Sequence, residues 1–156
     1  MSIYQLKTEQ VIPASIEQVW EFISSPRNLS KITPPYMGFE ITNEPIANKM
    51  YAGMIISYIV SPILGLKMNW VTEISYVKGM EYFVDVQRVG PYAMWHHQHH
   101  IREIENGVEM TDIVSYKSPL GFLGTIANNV FIKKQLKEIF NYRFKAVEEN
   151  FGKWKG

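Results

Sequence analysis

The chain has 156 residues, 46% apolar and 20% charged, with a formal net charge of +1. That length and balance suit one domain, expected over residues 1–156, and exclude a disordered chain. Near-neutral charge gives no electrostatic reason to expect a nucleic acid or an anionic membrane as partner. Without cysteine there is no disulfide, thiolate chemistry or Cys-ligated zinc.

Aromatic residues make up 13%, and there are eight Met. Such side chains fill cores and also line adaptable apolar cavities. The first ten residues, MSIYQLKTEQ, lack the basic and apolar regions of a signal peptide, so a cytoplasmic location is expected. The most apolar stretch, Ala52–Leu66, contains Ser57, Ser61, Pro62 and Gly65. It is shorter than the ~20 residues of a spanning helix, so it reads as strand plus turn, without stable membrane insertion.

A strand is expected at Ile3–Ile12. The run PASIEQVWEFISS follows as a helix, with Ser15 and Gln18 at capping-box spacing and Ile16, Val19, Trp20 and Ile23 on one face. Pro26 stops it, and RNLSKI suggests a short second helix ending before Pro34 and Pro35. Period-two patterning then predicts strands at Phe39–Asn43, Met54–Val60, Met68–Val77, Glu81–Arg88, Ala93–Arg102 and Val108–Lys117. From Gly124 onward Ile126, Val130, Leu136, Phe140, Phe144, Val147 and Phe151 predict one long amphipathic helix with Lys, Glu and Arg opposite. The class is α+β: a curved antiparallel sheet of six to seven strands around a long C-terminal helix, with two short helices after the first strand. A space between sheet and helix follows.

All four histidines lie in MWHHQHHI, residues 94–101. Alternation puts Trp95, His97, His99 and Ile101 on the inner face and His96 and His100 toward water. On the next strand Met110, Asp112, Val114 and Tyr116 face inward. With Asn106-Gly107 as a two-residue hairpin turn, Ile101 pairs with Asp112, His99 with Val114 and His97 with Tyr116. Phe83, Asp85 and Gln87 join the same face if the GPYA loop has the right parity. The wall then holds Asp85, Gln87, His97, His99 and Asp112 among Phe83, Trp95, Met110 and Tyr116.

Buried carboxylates and imidazoles must pair, and Asp–His hydrogen bonding raises the imidazole pKa. The cluster can simply satisfy itself and fix register. It can bind metal: His97 and His99, ~6.6 Å apart along the strand, with Asp112 or Asp85 make a zinc or iron constellation, though no fixed-spacing motif supports it. It can catalyse, with His97, His99 and Asp112 as acid/base candidates acting on a carbonyl substrate. Or it can orient the head group of a largely apolar molecule, the reading favoured here.

The element order, with IPASIEQVWEFISSPRNLSKITPPYMGFEI, FVDVQRVGPYAMWHHQHHI and DIVSYKSPLGFLGTIANNVFIKKQLKEIFNYR, resembles the START-like or SRPBCC superfamily. Its helix-grip fold is shared by polyketide cyclase/dehydrase-like, birch-pollen-allergen-like and lipid-transfer proteins. Within it the chain looks like a bacterial ligand-binding branch, some members of which carry the label cell division inhibitor. The resemblance runs from Tyr4 to Phe151. It rests on Ile32–Pro35, Gly90–Tyr92, a W-x-H-x-H pattern (Trp95, His97, His99), Asp112/Val114/Tyr116, Pro119–Gly121 and Ile139–Arg143. It implies a deep apolar cavity but no single activity: members bind sterols, phospholipids, polyketides or ubiquinone, and some are cyclases or hydroxylase components. The metal-site motifs of Rieske-linked members are not matched.

The expectation is therefore a START-like domain binding a lipid, isoprenoid or polyketide-like molecule, for transport or sequestration. The expected wall is Trp70, Phe83, Asp85, Gln87, Trp95, His97, His99, Met110, Asp112, Tyr116, Ile126 and Val130, with Leu136 and Phe140 also covering from the helix. No metal or cofactor is expected, and the chain is expected as monomer or homodimer. The alternative is a cyclase/dehydratase-type enzyme using a His–Asp pair.

Overall fold

The computed structural model describes residues 2–63, 65–119, 126 and 128–156. β1 (Tyr4–Ile12) leads into α1 (Ile16–Ile23). The Ser15 hydroxyl accepts from Gln18 N (3.3 Å), and the Gln18 side chain accepts from Ser15 N (3.0 Å). This reciprocal cap satisfies two otherwise orphaned donors and sets the helix start. α1 buries Val19, Phe22 and Ile23. Two 3₁₀ segments follow, Pro26–Ile32 and Pro35–Met37, each opened by a proline whose missing N–H costs nothing at that position.

The remaining strands are β2 (Glu40–Ile41), β3 (Ile55–Ile63), β4 (Leu66–Lys78), β5 (Tyr82–Val89), β6 (Met94–Ile104) and β7 (Gly107–Lys117). They form an antiparallel sheet in the order β1-β7-β6-β5-β4-β3-β2. β2 is shorter than expected because the Asn43 side chain takes over the pairing. Its amide donates to Ile55 O and accepts from Ser57 N, both at 2.9 Å.

The expected β6–β7 register is wrong by two residues. His99 pairs with Asp112, His97 with Val114 and Ile101 with Met110. The loop is Glu105-Asn106, with Asn106 at φ 61°, and Gly107 already pairs with Ile104. A slip of two keeps every side chain on its face, so the inward set survives the correction. Gly107 answers a close approach instead of a turn. A Cβ there would lie 2.5 Å from Ile12 O and 3.3 Å from Trp154 Nε1.

α2 (Lys133–Phe151) is preceded by a wide π-type turn, Asn128–Ile132. The expected helix start at Gly124 and the turn residue Gly121 lie outside the described residues. α2 turns Leu136, Phe140, Arg143 and Val147 inward. Ile12, Val19, Ile56, Ile74, Val108 and Val147 form the tightest part of the core, at the end covered by α1. Val114 and Tyr116 meet Ile132, Leu136 and Phe140 in a second cluster, and Met37, Val60 and Trp70 make a third. Trp95 and Tyr92 touch both of these smaller clusters. No helix among the described residues is long and apolar enough to cross a membrane.

Gly107→Ala is expected to cost about 1–3 kcal/mol in urea unfolding, because the added methyl must displace a backbone carbonyl. Gly79→Ala, with nothing among the described residues within 4 Å of its would-be Cβ, is expected to be neutral or stabilising by less than about 1 kcal/mol.

Candidate functional site

The middle of the sheet's inner face carries a buried polar cluster. β5 contributes Asp85, β6 His97 and His99, β7 Asp112, and α2 Arg143. Asp85 and His97 are cross-strand partners, as are His99 and Asp112, so register alone brings both carboxylates to the imidazoles. His97, His99 and Asp112 are 5%, 3% and 3% exposed. Three donors converge on Asp112 Oδ1: His97 Nε2 at 2.9 Å, His99 Nδ1 at 3.0 Å and Arg143 Nη2 at 3.2 Å. On the opposite side of the rings one oxygen again serves both. Asp85 Oδ2 lies 2.6 Å from His99 Nε2 and 3.4 Å from His97 Nδ1. The other Asp85 oxygen accepts from Trp95 Nε1 at 3.3 Å.

This geometry sorts the protons. Burial alone would raise the Asp112 carboxyl, but the Arg143 charge and the two histidine hydrogen bonds hold it well below the usual range. Asp85 is likewise lowered, its burial outweighed by the histidines and the Trp95 bond. Burial and the neighbouring His99 push His97 down to about 4. His99 goes the other way. Burial opposes its charge, yet hydrogen bonds to Asp112 and Asp85 prevail and raise it. Phe83 stacks on the His99 ring at 4.1 Å, which favours a cationic ring. With His99 protonated, two carboxylates, one guanidinium and one imidazolium sum to zero, the condition under which such a cluster tolerates burial. Arg143 Nη2 also lies 3.2 Å from His99 Nδ1, so that nitrogen accepts from the guanidinium whenever it carries no proton of its own.

In front of the cluster lies a cavity of about 140 Å³ between the sheet, α2 and the 3₁₀ segments. Trp70, Asp85, Trp95, His97 and His99, all named from the sequence, line it; Leu136, Ile139, Phe140 and Arg143 close it from α2. Phe39, Tyr58 and Tyr92, with Met37 beside them, complete a largely aromatic surround in which Trp70 meets Trp95 edge-on at 5.5 Å. Behind the cluster a recess of about 280 Å³, also bounded by Phe140 and Arg143, lies against Thr8, Gln10, Met110 and Asp112. The larger recess lacks the imidazoles and has only Phe140 and Phe144 as aromatic lining, so the front cavity is the candidate site.

Several expected wall residues stand elsewhere. Phe83 and Met110 face inward but belong to the main core, and Tyr116 is covered by Ile132 and Leu136. Alternation assigns a face, and that face is longer than the cavity. Asp112 supports the histidines from behind. Gln87 holds the GPY loop, donating to Tyr92 O (2.7 Å) and accepting from Tyr92 N (3.2 Å). Ile126 and Val130 are 52% and 75% exposed. Val130 and Leu136 are six residues apart, about one and two-thirds turns, so they never shared a face; Ile132 is the buried residue in phase with Leu136. Sequence reasoning missed the lining from Met37, Phe39, Tyr58, Tyr92 and Ile139 and, within the polar cluster, Arg143, assigned to the polar face although it sits three after Phe140 and four before Val147. Two buried aspartates in need of a cation were the available signal.

No family model matches the chain, and no curated protein matches it. Solved structures do. A protein of Thermus thermophilus is 16% identical, with a TM-score of 0.69 over 95% of this chain and 97% of its own. The major latex-like protein 151 of Panax ginseng is 13% identical, with a TM-score of 0.69 over 96% and 97%. Ara h 8.0201 is 11% identical, with a TM-score of 0.61 over 96% and 100%. The chain has the helix-grip fold of these proteins.

The two histidines pull stability in opposite directions. His97 is depressed, so the unfolded chain binds more protons below pH 6.5 and stability falls as pH drops toward about 4. His99 is raised, so its contribution is full below pH 6.5 and is lost as pH climbs through its folded value. Urea unfolding at a series of pH values is expected to show a maximum near neutrality. Arg143→Ala should cost about 3–5 kcal/mol at that maximum, and His96→Ala less than about 0.5 kcal/mol.

Proposed function

We propose that the chain binds a small amphipathic molecule in the front cavity, polar end against Asp85 and His97 and apolar body against Trp70, Trp95 and Phe140. The observation that carries this is the one-sided polarity of the cavity: an aromatic and aliphatic lining with all its charged groups gathered at one corner. Arg143 Nε, buried and without a hydrogen-bond partner among the described residues, favours a ligand carrying an acceptor. The helix-grip neighbours support binding as the general use of this architecture.

The volume narrows the ligand. An apolar cavity of ~150 Å³ admits benzene, so at about 140 Å³ the buried part of a lipid, isoprenoid or polyketide is about one ring in size. Transport or sequestration is the role proposed, in a cysteine-free chain compatible with the cytoplasm. A second reading has one specific support. His97 Nε2 is held by Asp112 while its Nδ1 points toward Asp85 at the cavity corner, the arrangement of an oriented base. An enzyme of the cyclase/dehydratase type would use this pair on a carbonyl.

Native mass spectrometry of protein recovered from cell extract, with chelator throughout, should show a bound small molecule. Ile139→Trp, which fills the cavity, should abolish it, and Val130→Trp, on the exposed side, should not. An adduct-free wild type, or an adduct indifferent to Ile139→Trp, contradicts the reading. Turnover lost in Asp112→Asn with binding retained would favour the enzyme.

A further inference from the structure

We propose that Asp85, His97 and His99 form a binding site for one divalent first-row transition-metal ion, oriented from behind by Asp112. One ligand atom from each of the three lies within 4.8 Å of the others. The two histidines present different nitrogens to the same place: His97 offers Nδ1 and His99 offers Nε2 toward Asp85 Oδ2. Their remaining nitrogens, His97 Nε2 and His99 Nδ1, both meet Asp112 Oδ1. Metal-binding imidazoles characteristically donate their second N–H to a carboxylate, which fixes tautomer and ring direction. Here one carboxylate does this for both rings, and Arg143 holds that carboxylate in turn.

The distances leave a small adjustment. Bonds of ~2.0–2.2 Å from one ion to nitrogen and oxygen imply ligand separations of about 3.0–3.4 Å. Asp85 Oδ2 to His97 Nδ1 is 3.4 Å already. Asp85 Oδ2 to His99 Nε2, at 2.6 Å, has to widen by about 0.5 Å. Asp85 is the member best able to yield. It lies on the cavity wall, and its side chain is 15% exposed against 6% and 3% for the histidines.

Two neutral imidazoles and one carboxylate suit zinc or ferrous iron better than calcium or magnesium, which prefer all-oxygen sites. The three ligands come from β5 and β6, so the remaining coordination positions face the cavity. With two carboxylates, Arg143 and a divalent ion, the site carries one net positive charge. An anionic oxygen on the bound molecule, a carboxylate or an enolate, would complete it. That last step rests on the binding function proposed above; the ion site does not. His96 and His100 are on the other face of β6, ~13 Å apart, and His100 Nε2 pairs with Gln98, so they serve as internal controls.

The test uses the full chain, stripped with chelator and dialysed, with zinc chloride alone in calorimetry and cobalt(II) followed by its visible d–d bands. One ion per chain is expected, with Kd below ~1 µM. Asp85→Asn should weaken binding at least 100-fold and Asp112→Asn about 10- to 100-fold. His96→Ala/His100→Ala should leave it unchanged. In wild type, zinc should shift the ¹⁵N resonances of His97 Nδ1 and His99 Nε2 directly, a readout that needs no variant to fold. Affinity weaker than ~100 µM, indifference to Asp85→Asn, or shifts confined to His96 and His100 would overturn the proposal. Because zinc is assayed without organic ligand, and the organic ligand with chelator, either reading can fail while the other stands.

Discussion

Asp112 Oδ1 is the atom on which the polar interior depends. It accepts from two imidazoles and one guanidinium drawn from β6 and α2. Were it neutral, Arg143 and His99 would be buried cations facing each other at 3.2 Å, which a low-dielectric interior does not tolerate. Its charge ties the sheet to the helix it grips. The same three bonds aim the ring nitrogens that matter toward Asp85 and the cavity. Structural support and site chemistry are thus two consequences of one carboxylate.

The rest of the fold sets that carboxylate's surroundings. Phe83 seals His99 on one side, and Phe140 contacts His97 edge-on at 5.7 Å. Trp95 spans from the smaller apolar clusters to Asp85. These rings keep water from the cluster, which strengthens each interaction within it. Of the cluster's side chains Asp85 is the most exposed, with Arg143 next, and both line the cavity, so the cluster meets a ligand through one carboxylate, the guanidinium and the adjoining imidazole edges.

Much of this was legible in the sequence. Period-two alternation divided four histidines into an inward pair and an outward pair, and the structure has both pairs so. It could not set register, since a slip of two residues preserves every face; Asn106-Gly107 looked like the turn, but the glycine is needed for the Ile12 carbonyl. Helical spacing located α2 and its end at Phe151 but misjudged two of its faces, with Val130 counted inward and Arg143 outward. Hydrophobicity ranks a residue by type, whereas position 143 is fixed by its place between Phe140 and Val147 and by the charge awaiting it. Nor does alternation say how far along a strand a cavity extends, which is why Phe83, Met110 and Tyr116 were drawn into its wall.

The charge balance of the cluster turns on where a single proton resides. Imidazole ¹⁵N chemical shifts of metal-free protein near pH 6 measure this directly. The expected spectrum has His99 with both nitrogens protonated and His97 neutral with its proton on Nε2. A neutral His99, or a cationic His97, would contradict the charge balance on which the site has been built.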